Sequence, residues 1–153
     1  MTALVREVLG GVNVSRETVA TLRAFEAEVR RWTTKVNLIS RGSLEHIWDR
    51  HIEDSAQVFG ACPPGAHLWL DLGSGGGFPG LVVAILAREA QPHLRVMLVE
   101  ADQRKATFLR QTAHKLGLDV EVQAKRIESL PPQEADVVSA RALAPLSDLL
   151  ELA

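Results

Sequence analysis

The densest run of chemically informative residues is Asp71-Leu72-Gly73-Ser74-Gly75-Gly76-Gly77-Phe78-Pro79-Gly80. Gly75, Gly77 and Gly80 satisfy the G-x-G-x-x-G spacing of nucleotide-binding loops. Glycine lets a ligand approach the backbone with no Cβ in the way. The run follows the apolar segment HLWLDLG and opens a helical pattern, which is the strand–turn–helix context such a loop requires. Asp71 stands two residues before the first glycine, giving D-x-G-x-G-x-G. A carboxylate there repels a dinucleotide pyrophosphate and attracts the ammonium of S-adenosylmethionine, directly or through water. Glu100 ends the next apolar run, RVMLVE, where an acid can accept both hydroxyls of a ribose. NAD and S-adenosylmethionine both carry that ribose, so Glu100 does not separate them. The expected ligand of the loop is S-adenosylmethionine, held by Asp71, Gly75, Gly77 and Glu100.

Other constellations are sparser. Arg50-His51-Ile52-Glu53-Asp54-Ser55 falls in a helical pattern, and the spacing puts His51, Asp54 and Ser55 on one face with Ile47 and Val58. Polar groups on an apolar face need partners, so they either face the glycine loop or tie a helical layer to a sheet. Two stretches lack acids: Arg30, Arg31, Lys35 and Arg41 precede Glu45, and Arg104, Lys105, Arg110 and Lys115 precede Asp119. Each is an ordinary solvated face or a contact for phosphates. Asn37, His51, Asp54, Arg104 and Lys105 form the expected substrate-facing set. Cys62 lies beside Pro63 and Pro64 with no cationic neighbour in sequence, so it reads as a small apolar residue. The five histidines share no helical metal-binding spacing, and no zinc site is expected. No N-P-P-[YFW] motif is present, which argues against attack by an adenine amino group.

These residues need elements to hold them. Residues 2–9 read as a loose helix broken at Gly10-Gly11. Ser15 is a helix N-cap, with Val14 and Val19 at staple positions. Val19, Leu22, Phe25, Val29, Trp32 and Val36 then form one apolar stripe over about six turns. A second helix is expected over 43–59. Past Pro63-Pro64-Gly65 the pattern becomes βαβαβ: strands at 67–73, 95–100, 119–125 and 135–141, with helices at 79–89 and from Asp102 to Gly117. A last helix starts near Pro145. Such alternation implies an α/β fold with a parallel sheet wound on both faces, and ligands beyond the carboxyl ends of its strands.

The 153 residues amount to one domain's worth of chain. With 46% hydrophobic and 24% charged residues, the composition excludes a disordered or fibrous protein. No apolar run approaches the roughly 18 residues of a membrane span, and the first residues lack the pattern of a signal peptide. One cysteine fits a reducing cytoplasm. A net charge of −2 means that any nucleic-acid partner is held by local patches.

DLGSGGGFPG, RHIEDS, RKATFLRQ, AKRIE and SARALAPL are all present in the chain. Together they resemble the bacterial GidB or RsmG family, 16S rRNA guanine-N7 methyltransferases, over about residues 15–150. The resemblance implies a class I, Rossmann-like, S-adenosylmethionine-dependent methyltransferase fold. Its sheet order would be 3-2-1-4, with an N-terminal helical cap (1–64) on a cofactor-binding core (65–153). It implies cofactor contacts at Gly73, Phe78, Ile127, Glu128 and Arg141, with Glu100 at the ribose position. It implies 16S rRNA or the small ribosomal subunit as partner, with neither metal nor membrane. Arg141, at the end of the fourth strand, is the expected catalytic residue. It cannot act as a base at neutral pH, but it can bind a carboxylate, a phosphate or the guanine O6 edge. Family members continue through further strands, so this chain is expected to be shortened at its C-terminal end, with the fourth strand as a bare edge. Two other functions share these residues: an NAD(P)-dependent oxidoreductase and a catalytically silent cofactor-binding fragment.

Overall fold

The computed structural model describes residues 6–140. Its chain order is β1 (Arg6–Leu9), β2 (Val12–Ser15), α1 (Arg16–Thr33), a 3-10 segment (Arg41–His46), a π-helical segment (Ile47–Ile52), α2 (Glu53–Gly60), β3 (Leu68–Leu72), α3 (Gly80–Ala90), β4 (Arg95–Val99), α4 (Gln103–Lys115), β5 (Val120–Gln123), a 3-10 turn (Ile127–Ser129) and β6 (Val137–Ala140). Four strands form a parallel sheet in the order β5-β4-β3-β6, which is the expected 3-2-1-4 arrangement. This is an α/β, Rossmann-like architecture.

The N-terminal segment departs from the sequence reading. The helix expected over 2–9 is an antiparallel hairpin where it is described, with Leu9 opposite Val12. Gly10 and Gly11 both have positive φ, 56° and 85°, which is the two-residue turn a right-twisted hairpin requires. Gly10 also abuts α2: a Cβ there would lie 2.7 Å from Gln57 N and Glu53 O. Leu9 and Val14 are buried while Val8 is exposed, so the pattern is period two.

α1 starts as the sequence predicts. Ser15 Oγ accepts the Thr18 amide N–H at 3.2 Å, and Glu89 of α3 accepts the Ser15 amide at 3.0 Å and the Thr18 hydroxyl at 2.6 Å. The helix ends at Thr33, so it is shorter than six turns. Lys35 and Val36 both donate to Trp32 O, and Val36 is buried from the turn that follows. The helix expected over 43–59 is 3-10, then π, then α. The wider π turn breaks the 3.6-residue register. Ile47 and Ser55 are buried, but Asp54 and Val58 are exposed, so the predicted shared face does not form.

Strand alternation divides the sheet's two faces. Trp69, Val96 and Leu98 join residues of α1 to α4 in the main core, among them Leu22, Phe25, Leu81, Ile85 and Phe108. Leu70, Leu72, Met97 and Val99 point the other way and meet Leu130. Among the described residues, α1–α4 all contribute to the first cluster and none to the second. Winding on both faces is therefore not seen within 6–140, and the helix expected from Pro145 lies outside the described residues. α3 is buried on all sides from Gly80 to Ala87 because α1 and α2 cover it from above. At the start of β6, Asp136 Oδ2 accepts the amides of His67 and Leu68 at 2.7 and 2.9 Å. Those two bonds hold its carboxyl below the usual range.

The buried Glu28 joins α1 to α4. Its carboxylate accepts from Lys115 Nζ and, at 2.7 Å, from Arg31 Nη2. Burial pushes its carboxyl up, but hydrogen bonds from Lys115 and Arg31 outweigh that, and the net shift is downward from 4.5. A lowered folded-state pKa contributes stability above the unfolded value and loses it as pH falls through the folded one. Glu28→Gln is therefore expected to cost about 1–2 kcal/mol at pH 7. It should also remove part of the acid limb below 4.5, so that parent and variant melting temperatures converge as pH falls. Parallel melting curves from pH 7 to pH 3 would contradict this.

Candidate functional site

β3 delivers the chain to the carboxyl edge of the sheet, where the glycine loop begins. Gly73 N–H and Ser74 N–H both donate to Val99 O, at 2.8 and 3.0 Å, so the loop is anchored on the end of β4. Gly77 N–H closes the turn on Ser74 O at 2.7 Å. Glu100, the next residue after β4, completes the tie. Its Oε1 accepts the Gly75 amide at 2.7 Å, and its Oε2 accepts the Asp102 amide at 2.9 Å. Asp102 in turn caps α4, accepting from Arg104 N and Lys105 N at 2.9 and 3.1 Å. The backbone N–H groups of Lys105 and then Arg104 hold the Asp102 carboxyl below its usual range.

These turns enclose a cleft of about 440 Å³, lined by Gly73, Gly75, Val99, Glu100, Ala101, Lys105, Arg126, Ile127 and Glu128. It lies at the carboxyl ends of β3, β4 and β5, the position the fold reserves for ligands. Of the expected cofactor residues, Gly73, Gly75, Glu100, Ile127 and Glu128 converge here, and Lys105 joins them from the expected substrate set.

Others stand behind the wall. Strand alternation sends Asp71 to the helix side of the sheet, fully buried. There Ser139 Oγ donates to Asp71 Oδ1 at 2.7 Å and accepts from Trp69 Nε1 at 2.8 Å. Asp71 Oδ2 lies directly under Gly80, where a Cβ would come within 2.4 Å of it. Gly77 is pressed against Leu81 and Phe25; a Cβ there would be 2.9 Å and 3.0 Å from them. Phe78 is buried, its ring 5.2 Å from Phe25 and 4.9 Å from His51. By contrast, a Cβ on Gly75 would meet nothing closer than 3.9 Å, because that position opens to the cleft.

The expected substrate residues are dispersed. Arg104 is exposed and its Nη2 donates to Lys35 O at 2.5 Å, clasping α4 to the turn after α1. Asn37 and Asp54 are exposed, and His51 is half-buried behind the loop. Arg141 lies outside the described residues. Sequence reasoning missed Arg126, although it immediately precedes Ile127 and Glu128 in AKRIE. It also missed Leu38, whose carbonyl would lie 3.2 Å from a Cβ on Gly76. No sequence signal marks that contact. Cys62 is away from the cleft, and burial pushes its thiol up, away from the reactive thiolate. Among the described residues no group of three or more His, Cys, Asp or Glu could hold a metal, and no helix is long and apolar enough to cross a membrane.

The arrangement fits S-adenosylmethionine. A carboxylate has about four acceptor sites. Glu100 commits one on Oε1 to the glycine loop and one on Oε2 to the Asp102 amide, which leaves the others for a pair of hydroxyls. Gly75 leaves space, and the cleft presents both acids and cations.

A family model described as rRNA small subunit methyltransferase G, GidB, matches residues 18–153. The ribosomal RNA small subunit methyltransferase G of Cereibacter sphaeroides (strain ATCC 17025 / ATH 2.4.3) is 56% identical over 149 residues, which is 96% of this chain and 71% of that protein. The protein of the same name from Ruegeria sp. (strain TM1040) is 52% identical over 142 residues, 93% of this chain and 69% of its own. Among solved structures, the mitomycin 7-O-methyltransferase MmcR aligns at TM-score 0.51 and 18% identity, over 89% of this chain and 43% of that one. A SAM-dependent methyltransferase from Aquifex aeolicus aligns at TM-score 0.50 and 20% identity, over 83% and 64%. At those identities the two structures speak for the fold alone.

The glycines divide into packing and ligand positions, and substitutions separate them. Gly80→Ala drives a methyl into Asp71 and Leu98 and should destabilise the fold by about 1–3 kcal/mol. Gly75→Val fills the open side of the loop and strains a backbone held at φ 48°. It is expected to abolish binding of S-adenosylhomocysteine in calorimetry while leaving a cooperative melt. Undiminished binding by Gly75→Val would make the loop a turn and nothing more.

Proposed function

Since the chain belongs to the GidB family, rRNA small subunit methyltransferase G, we propose that it methylates a guanine at N7 in 16S ribosomal RNA. S-adenosylmethionine is the proposed methyl donor, held in the cleft at the carboxyl ends of β3, β4 and β5. The observation that carries this reading is Glu100. One carboxylate fixes the glycine loop and the start of α4 and retains acceptor capacity for the hydroxyls of a ribose.

Bound there, S-adenosylmethionine supplies an activated methyl group. The chain's part is to hold and orient. Gly73 and Gly75 admit the ligand to the backbone, Glu100 accepts its ribose hydroxyls, and Ile127 with Glu128 borders the opposite wall. Asp71 supports the loop from beneath α3, bonded to Ser139, and Gly77 and Phe78 back it through the core. Lys105, which lines the cleft, and Arg104 beside it are proposed to meet the RNA, with Asn37, His51 and Asp54 as further proposed substrate contacts. Arg141 follows β6 and is the residue proposed to orient the guanine or the cofactor carboxylate.

Guanine N7 carries a lone pair and no proton. The chain therefore needs no general base, only orientation and charge control.

Glu100→Ala should weaken S-adenosylhomocysteine binding by about 1–3 kcal/mol, because two hydroxyl donors lose a charged acceptor. Undiminished affinity would remove Glu100 from the ribose. Methyl transfer to small-subunit rRNA should be independent of pH from about 7 to 9. A rate rising with unit slope across that window would reveal an essential base and exclude N7 as the nucleophile.

A further inference from the structure

The two acid-free stretches of sequence meet on one surface. α1 and α4 lie side by side, and between them runs a groove of about 440 Å³ lined by Glu28, Arg31, Arg110, Gln111, His114 and Lys115. The one acid in the groove is Glu28, and its carboxylate is buried beneath the two cations it holds, Arg31 and Lys115. Their side chains remain 63% and 60% exposed. Glu28 thus fixes two positive groups next to each other at the surface, an arrangement that like charges would otherwise resist. Arg110 adds a third cation. Its Nη2 donates to Val122 O at 3.3 Å, which positions the guanidinium and leaves further N–H donors.

The same helix leads to the cleft. Arg104, Gln111 and Lys115 are spaced i, i+7, i+11 and share a face of α4. From Arg104 to Lys115 the helix rises about 16 Å. At its head, Lys105 lines the cleft and Arg104 clasps Lys35 of the other acid-free stretch. In a chain of net charge −2, cations at both ends of α4, one set at the ligand cleft and one in the groove, are a local feature that composition does not produce.

We propose that the groove between α1 and α4 seats the sugar–phosphate backbone of the substrate RNA, at nucleotides flanking the one whose base reaches the cleft. This rests on the reading of the chain as an rRNA methyltransferase and adds where the RNA lies. Contacts of this kind give affinity without reading sequence, and each releases counterions, so they are counted by salt dependence.

The test uses Arg110→Gln alone, which keeps the Glu28 pairs intact, and Arg31→Gln/Arg110→Gln together. Binding of a small-subunit rRNA fragment is followed by fluorescence anisotropy at several salt concentrations, with S-adenosylhomocysteine affinity measured alongside. The double variant should bind RNA roughly tenfold or more weakly, and the slope of log K against log salt should fall by about 0.7 for each phosphate no longer neutralised. Affinity for S-adenosylhomocysteine should not change. RNA affinity and salt slope equal to the parent's, with methylation intact, would overturn the groove and leave the proposed function standing. Groove-dependent RNA binding with no methyl transfer would support the groove and overturn the function. A parent chain that binds no RNA would overturn both.

Discussion

The site depends on how closely backbone approaches backbone around the glycine loop. Two consecutive glycines of the loop and the first residue of α3 meet their surroundings on the side where any other residue carries a Cβ. Leu38 O borders Gly76, Leu81 and Phe25 border Gly77, and Asp71 borders Gly80. The hairpin, α1 and the irregular helical stretch from Arg41 to Gly60 seat on the core through those contacts and the cluster around Leu22, Phe25 and Ile52. The loop is therefore shaped from two sides at once. The core presses it from behind, and Glu100 draws it forward through the Gly75 amide. What remains open is a single strip facing the cleft.

Two carboxylates divide the work by strand parity. Asp71, one residue before the end of β3, falls on the helix side and serves the interior with Ser139 and Trp69. Glu100, just past β4, is beyond the pleat and free to turn toward the loop and the head of α4. Reading both as ligand contacts from their places at strand ends treats them as equivalent. The alternation of the sheet separates them.

Much of the second half was legible because its signals are local. Apolar runs bounded by turn residues mark β3, between Gly65 and Gly73, and β4, between Pro92 and Asp102. Asp102 and Gly117 bracket α4 as cap and stop, and the strand order is the one the family resemblance implied. The first half was less so. REVLGGVNVS carries apolar residues that fit a loose helix as well as a strand. The decision lies in the positive φ of Gly10 and its packing on α2, a contact across more than forty residues. The π segment at 47–52 shows the same limit: one added residue per turn shifts which side chains face inward, and Val58 ends outside. The contact of Leu38 with Gly76 likewise belongs to tertiary packing, which no spacing rule encodes.

The clamp that Asp136 places on His67 and Leu68 also bears on the order in which the chain assembles. Leu68 and Asp136 are 68 residues apart, whereas β3, α3 and β4 follow one another directly. Loop closure costs entropy that grows with the logarithm of length, and long-range pairings slow the search for the native topology. Within the sheet, β3, β4 and β5 pair across short separations, and β6 joins β3 across the longest one. Ser139 arrives with it, so the buried Asp71 gains that hydroxyl only when docking is complete. Closing the sheet and finishing the floor beneath the loop are then one event.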